Sequence, residues 1–366
     1  MKRSNPSPRS KSNKSDQNLQ PVDDLFEIAG LVRNRRNSPP GITTRLRRLR
    51  QETASSEELS ARVSVSTTAK NGVGLLQIPA WRDQKTLSKW LWHGFSTRVG
   101  GVSTAYAAED GAGTILGDLN LGFTAADSRE AVVQNRKLLA EAVTGDKDTP
   151  IVTLRQFHSN LVIVAGKDDV DRDRPWKADG VITGVPGMLI AIQTADCIPV
   201  LVADRKQRVV AGFHAGWRGT VKRIVELGVG RMRLEFGSRP GDLIAAIGPG
   251  VGQCCYAVGE EVQSEFESQF SYARELFREV FDADPVRKKY PMLFLTQRAP
   301  GHSPIGPAIH LDLVEANRRQ LLDAGLKASA ISVTGGCTSC HADLFFSHRA
   351  SRGHAGRMMS VIGIRE

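Results

Sequence analysis

With 366 residues, 40% hydrophobic and 24% charged, the chain has a globular composition and ample core material, and no apolar run approaches the ~18 residues of a membrane span. Five cysteines, an odd number with no apolar leader behind the basic N-terminus, read as reduced thiols in the cytoplasm rather than a disulfide framework. The net charge of +10 is concentrated at the front, where residues 1–50 hold 12 Lys/Arg against 4 Asp/Glu, so total charge implies no nucleic-acid partner for the rest of the chain.

Residues 1–72 read as a disordered basic tail, rich in Ser, Asn, Pro, Lys and Arg, with short helical stretches at 24–33 and 44–62 that offer little apolar surface. A solvated arm or one that touches RNA or acidic lipid both fit this composition. Order is expected from about Gly72, with strands over 73–78 and 90–98. The second ends at Arg98 and a Gly100-Gly101 turn that could be a plain hairpin turn or an anion cradle. An amphipathic helix follows over 128–143, then a strand over 151–160 that carries His158 near its end and continues through 161–164, then a short strand over 178–183.

The richest stretch is 188–220. Two apolar, β-branched runs flank the polar turn Asp204-Arg205-Lys206-Gln207, the pattern of two buried strands with a short connection. Thr194-Ala195-Asp196-Cys197 sits inside the first run and His214 near the end of the second. A carboxylate, a thiol and an imidazole within apolar strands are costly to bury unless something uses or satisfies them. Beyond Gly219 a helical spacing runs to Met232. Strands over 243–247, 331–333 and 359–364 and helices over 260–270 and 311–322 complete an α/β or α+β domain over 73–366, interrupted by a Pro-rich excursion over 282–308.

His158, Cys197 and His214 lie near the ends of three expected strands, 39 and 17 residues apart, which is no zinc-finger spacing. Three protein ligands with an open fourth position would suit a catalytic zinc. A Cys–His pair for nucleophilic catalysis, or a buried small thiol beside histidines that satisfy backbone carbonyls, fits the same residues. Arg218, just ahead of a helix, and Arg349 are candidate anion ligands or surface ion pairs. Cys337-Thr338-Ser339-Cys340-His341 matches the haem-attachment pattern but lacks the export signal that reading needs, and Cys254-Cys255 read as free thiols in a turn.

The motifs Phe95–Ser103, Gln156-Phe157-His158, Ala178-Asp179-Gly180, Thr194–Cys197, His214–Gly219, Ile247-Gly248-Pro249, Cys254-Cys255-Tyr256 with Val258-Gly259, and Phe346–Arg349 with Gly356-Arg357 occur in one order. Together they resemble the polyphenol-oxidase/laccase-domain proteins, a family described as multifunctional purine nucleoside phosphorylases. The likeness spans about residues 75–366. It implies a four-layer α/β/β/α sandwich of the α+β class with mixed sheets, like the cytotoxic-necrotizing-factor type of cysteine hydrolase. It also implies a metal, zinc or copper, at His158, Cys197 and His214. The implied reaction is phosphorolysis of adenosine, inosine and S-methyl-5′-thioadenosine, with adenosine deamination beside it. Arg98 and Arg218 would then hold phosphate and Asp196 would face the substrate, with Asp196 or Asp179 handling protons. An amidase that acts on a cell-wall precursor, with Cys197 as nucleophile and His214 as base, is the alternative enzyme. Polyphenol oxidation ranks last, because three ligand positions fall short of several histidine-rich copper centres. Ala257 and His348 depart from the family's usual Glu and Tyr, and 282–308 is a candidate lid or plain insertion.

Overall fold

The structure is a computed structural model that describes residues 67–106, 117–170, 175–280 and 308–366. The expectations for residues 1–66 and for the excursion up to residue 307 lie outside the described residues. The fold begins upstream of Gly72, because β1 (Thr67–Thr68) pairs antiparallel with β2 (Gly74–Leu76). Among the described residues no helix is long and apolar enough to cross a membrane.

The apolar runs become strands buried on both faces. One six-stranded sheet has the order β1, β2, β3 (Leu91–Ser96), β16 (Met358–Ile364), β8 (Leu189–Thr194) and β5 (Ile151–Val152). The second has the order β15 (Ile331–Val333), β11 (Leu243–Ile247), β9 (Ile198–Asp204), β10 (Val209–Ala215), β7 (Gly180–Thr183) and β6 (Val162–Val164). Both are mixed: antiparallel pairs fill the middle, while β5 lies parallel to β8, β6 to β7 and β15 to β11. A small third sheet joins β12 (Ala257–Val258), β14 (Ala308–Leu311) and β13 (Phe277–Val280). Strand β4 (Val99–Ser103) bridges to Asp118 rather than folding back on β3 as a hairpin.

Alternation along the strands sorts their side chains into three cores. Ile190, Ile192, Leu201, Ala203, Val210 and Ala246 meet between the two sheets. The opposite face of the second sheet, with Val200, Val202, Ala211 and Phe213, packs under α3 (Trp217–Val221), α4 (Ile224–Phe236), α5 (Glu260–Gln269) and α6 (Leu313–Asp323). On the first sheet, Leu189, Ala191, Met359 and Val361 meet Leu139 and Val143 of α2 (Arg129–Thr144). The amphipathic pattern over 128–143 thus finds its partner, and the Ser128 side chain caps the helix by accepting from the Ala131 N–H. The one-turn α1 (Pro79–Arg82) adds Trp81 to the inter-sheet core.

Two expected strands are broken in ways that create the site. The run 188–204 is two strands in different sheets, because Ala195–Cys197 carries the chain across from β8 to β9 with Asp196 at φ +95. Likewise 151–164 divides into β5 and β6, which also lie in different sheets, and His158 sits on the crossing at φ +63 rather than at a strand end. The helical spacing after Gly219 covers two helices, α3 and α4, separated at the left-handed Arg223 (φ +59).

Candidate metal centre and its cavity

Two of the chain's crossings between the sheets, β5 to β6 and β8 to β9, pass beside the C-terminal end of β10, which carries His214. This brings together three residues far apart in sequence: one donor atom each from His158, Cys197 and His214 lies within 4.8 Å of the others. His158 Nε2 stands 3.7 Å from Cys197 Sγ, and the two imidazoles meet edge to face with ring centroids 4.9 Å apart. For tetrahedral coordination at ordinary zinc–nitrogen and zinc–sulfur lengths, nitrogen and sulfur would stand about 3.6 Å apart. The donor set is thus spaced and chemically suited for zinc, or for copper as another imidazole- and thiolate-seeking ion.

Asp179, completely buried at the start of β7, organises the group. Its carboxylate accepts from the Phe157, His158 and Ser159 backbone N–H groups, the last at 2.7 Å, and from the Ser159 hydroxyl at 2.7 Å, which pins the left-handed turn at His158. It also accepts from His214 Nδ1–H at 2.8 Å, which leaves Nε2 for the site, the arrangement that orients ligating histidines. Burial opposes its charge, yet the bonds from His214 and Ser159 hold the carboxyl well below the usual range. Its charge and its five hydrogen bonds make Asp179 an anchor for the turn and for His214, whereas the sequence offered Asp196 or Asp179 as a proton carrier.

Burial also disfavours the Cys197 thiolate, but the neighbouring His214 charge and the His158 bond outweigh it and lower the thiol to about 6. Burial likewise works against His214 imidazolium, and Cys197 and Asp179 together raise it to about 9. In the metal-free chain at neutral pH these residues form a thiolate–imidazolium pair.

Close approach of the crossings depends on Gly216, where a Cβ would stand 2.9 Å from both Cys197 Sγ and His158 Cδ2. Gly216→Ala should therefore push the donors apart. Metal affinity measured by competition with a chromophoric chelator is expected to fall about 10–100-fold, the scale of other disturbances around metal ligands, and unchanged affinity would count against this geometry.

The donors open into a cavity of about 720 Å³ whose walls include Gln156, Gln193, Trp217, Arg218, Tyr256, His348, Arg349, Arg352 and Arg357. Gln156 and Gln193 exchange side-chain–backbone hydrogen bonds at 2.8 Å, fastening the His158 crossing to β8. Arg218 stacks over the Trp217 ring at 4.3 Å. Burial first, and then the Cys197 charge, raise the Tyr256 phenol, so it remains a neutral hydrogen-bond donor.

Two expected anion or substrate residues are placed otherwise. Arg98 does not line this cavity: its guanidinium pairs with Asp118, donates to the Ala342 and Tyr106 carbonyls, and lies over Phe346 at 4.9 Å. Asp196 lines the cavity, but its oxygens accept from the Thr338 hydroxyl and the Arg349 N–H, both at 2.7 Å, so it ties the C-terminal wall to the crossing. Arg349, noted in the sequence as an anion candidate, is in the wall, where it donates to the Ala257 carbonyl at 2.8 Å and lies over Tyr256. Arg357 is marked in the sequence only as part of the Gly356-Arg357 motif and Arg352 not at all, because single arginines in a turn-rich segment carry no local signal. His348 lines the same cavity.

The family described as multi-copper polyphenol oxidoreductase laccase matches residues 92–365. The chain is 32% identical over 297 residues to purine nucleoside phosphorylase YlmD of Bacillus subtilis, covering 80% of this chain and 95% of that protein. It is 31% identical over 277 residues to adenosine deaminase RL5 of an unknown prokaryotic organism, covering 73% and 96%. Among solved structures, YlmD from Geobacillus stearothermophilus superposes with a TM-score of 0.63 at 31% identity, covering 83% of this chain and all of that one.

Proposed function

The chain belongs to the multi-copper polyphenol oxidoreductase laccase family, and on that premise we propose that it is a metal-dependent purine nucleoside phosphorylase. Its proposed substrates are adenosine, inosine and S-methyl-5′-thioadenosine with inorganic phosphate, and adenosine deamination is a side activity. The observation that carries this reading is the convergence of His158, Cys197 and His214 at the floor of a cavity walled by Arg218, Arg349, Arg352 and Arg357. About 720 Å³ is enough for a nucleoside and a phosphate together. Several relatives carry the phosphorylase name and one the deaminase name, which supports the choice of substrates. The three buried cores support the four-layer α/β/β/α sandwich, akin to the cysteine-hydrolase type, proposed for residues 73–366; β1 extends that domain upstream to Thr67, so the proposed basic tail is confined to the residues before it.

A metal held by His158, Cys197 and His214 would supply Lewis acidity at the cavity floor. The protein's own share is binding and orientation. The arginines gather phosphate and set an oxygen toward the anomeric carbon; that C–O bond forms as the bond to the purine nitrogen breaks, and the departing base takes up a proton. Tyr256 offers a neutral hydroxyl to the bound nucleoside, and Trp217 provides an aromatic face beside Arg218. Arg218→Ala should raise KM for phosphate about tenfold or more with a smaller change in KM for the nucleoside. An equal loss for both substrates would remove Arg218 from phosphate binding.

The thiolate–imidazolium pair with Asp179 behind it also favours a second reading, a cysteine hydrolase with Cys197 as nucleophile and His214 as base. That reading leaves His158, whose Nε2 stands 3.7 Å from the sulfur, without a task. Purified chain incubated with the three nucleosides, with and without phosphate, and in parallel with a panel of peptide amides, each with and without a strong chelator, separates them. Phosphorolysis predicts free base that requires phosphate and disappears on chelation; amide hydrolysis that persists in chelator would replace it.

A further inference from the structure

Four of the five cysteines gather at a second place. Cys254 and Cys255 come from the turn after β11, and Cys337 and Cys340 from the segment after β15. Their sulfurs all lie within 4.8 Å of one another, with Cys340 Sγ at 3.5 Å from Cys254 and 3.4 Å from Cys255. We propose that these four thiols form a closed structural site for a thiophilic divalent cation, of which zinc is the fitting example.

The spacing suits the ion. Four thiolates around one zinc at about 2.3 Å stand about 3.8 Å from each other. The backbone supports a thiolate as well: the Gly252 N–H donates to Cys337 Sγ at 3.2 Å, and the Ser339 and Cys340 N–H groups are directed to the same sulfur. Gly252 permits this approach, because a Cβ there would lie 3.1 Å from Cys337 Cβ and 3.2 Å from Cys254 Sγ. Four protein sulfurs leave no open position, which marks a structural site, in contrast to the three-donor group that faces the cavity. As the ion binds, each ligating thiol releases its proton to solvent. The haem-like Cys337-Thr338-Ser339-Cys340-His341 pattern and the paired Cys254-Cys255 are thus two halves of one cluster that does not include His341.

The position gives the ion a purpose. Cys255 directly precedes Tyr256, and the segment after Cys340 leads to His348 and Arg349, so the two halves carry adjoining parts of the cavity wall, where Arg349 lies over Tyr256. An isolated bridge from Gly250 to Cys337 and the hydrogen bond from the Thr338 N–H to the Gly250 carbonyl already join them. The ion would lock that junction. The inference stands apart from the phosphorylase reading, since it concerns other residues and is read by metal content.

The test uses the full chain, reduced, reconstituted with zinc and freed of loosely held metal. Wild type should hold about two zinc ions, Cys197→Ala about one, and the double variant Cys197→Ala/Cys340→Ser none. Cobalt in Cys197→Ala should show intense thiolate-to-cobalt charge-transfer absorption that is lost with Cys340→Ser. If the double variant does not fold, alkylation and peptide mapping of Cys197→Ala replace it: zinc should protect the four cysteines, and equal labelling with and without zinc would overturn the proposal. Zinc-free Cys197→Ala, or recovery of these cysteines as disulfides from metal-replete protein, would overturn it too.

Discussion

Cys197→Ala should lower kcat/KM for nucleoside phosphorolysis by at least about 10³-fold, a barrier change of roughly 4 kcal/mol, and remove the metal from the cavity floor. The sulfur is central to the group, since it faces His158 Nε2 at 3.7 Å and its thiolate is stabilised by His214. Without it, two imidazoles remain, and two neutral ligands hold a divalent ion far less tightly than a set that includes a thiolate. Cys197→Ser should fail to restore activity, because a serine hydroxyl stays protonated where the thiol, lowered to about 6, ionises readily. The measurements are base release by chromatography and metal content by elemental analysis, with circular dichroism to verify folding. Retained metal and turnover in a folded Cys197→Ala chain would remove the residue from the site.

Asp179→Asn should have the second largest effect, on stability and metal binding together. The carboxylate is buried and receives three backbone N–H groups, one hydroxyl and one imidazole N–H. An amide of the same shape would turn its own N–H₂ against some of these donors and leave His214 without its counter-charge. Breaking a buried pair of this kind costs about 3–5 kcal/mol. Metal affinity should fall about 10–100-fold as His214 loses its orientation. The pH dependence carries the same signature. Because the folded carboxyl is lowered below its ordinary value of 3.8, its contribution is complete above about pH 4 and is lost as the solution becomes more acidic. Wild type should therefore destabilise more steeply than Asp179→Asn below pH 4 in denaturant titrations; parallel curves would mean that Asp179 contributes no ionisation-linked stability.

The sequence revealed the strands better than their partners. Continuous apolar runs located β7, β10, β11 and β16 closely, because strands buried on both faces carry apolar residues at nearly every position. The same continuity concealed the breaks. Val152 and Val162, or Ile192 and Ile198, look like one strand's residues, and only long-range pairing assigns them to different sheets. The proposed metal ligands were named through the family likeness and not by their spacing, since their proximity is created by the crossings from β5 to β6 and from β8 to β9. Arg98 misled because an arginine before paired glycines looks like an anion ligand, whereas its partner Asp118 is brought in by the fold. The four-cysteine cluster was invisible for a similar reason: each half has a commonplace local reading, and more than eighty residues separate them.

Crystals of the zinc-reconstituted chain, with anomalous diffraction collected on either side of the zinc absorption edge, test the main assignment most directly. An anomalous peak is expected at about 2.0–2.3 Å from His158 Nε2, Cys197 Sγ and His214 Nε2, with its remaining side open to the arginine-walled cavity. Full zinc occupancy elsewhere in the chain, with no peak among these three side chains while the same preparation still turns over nucleoside, would contradict the account.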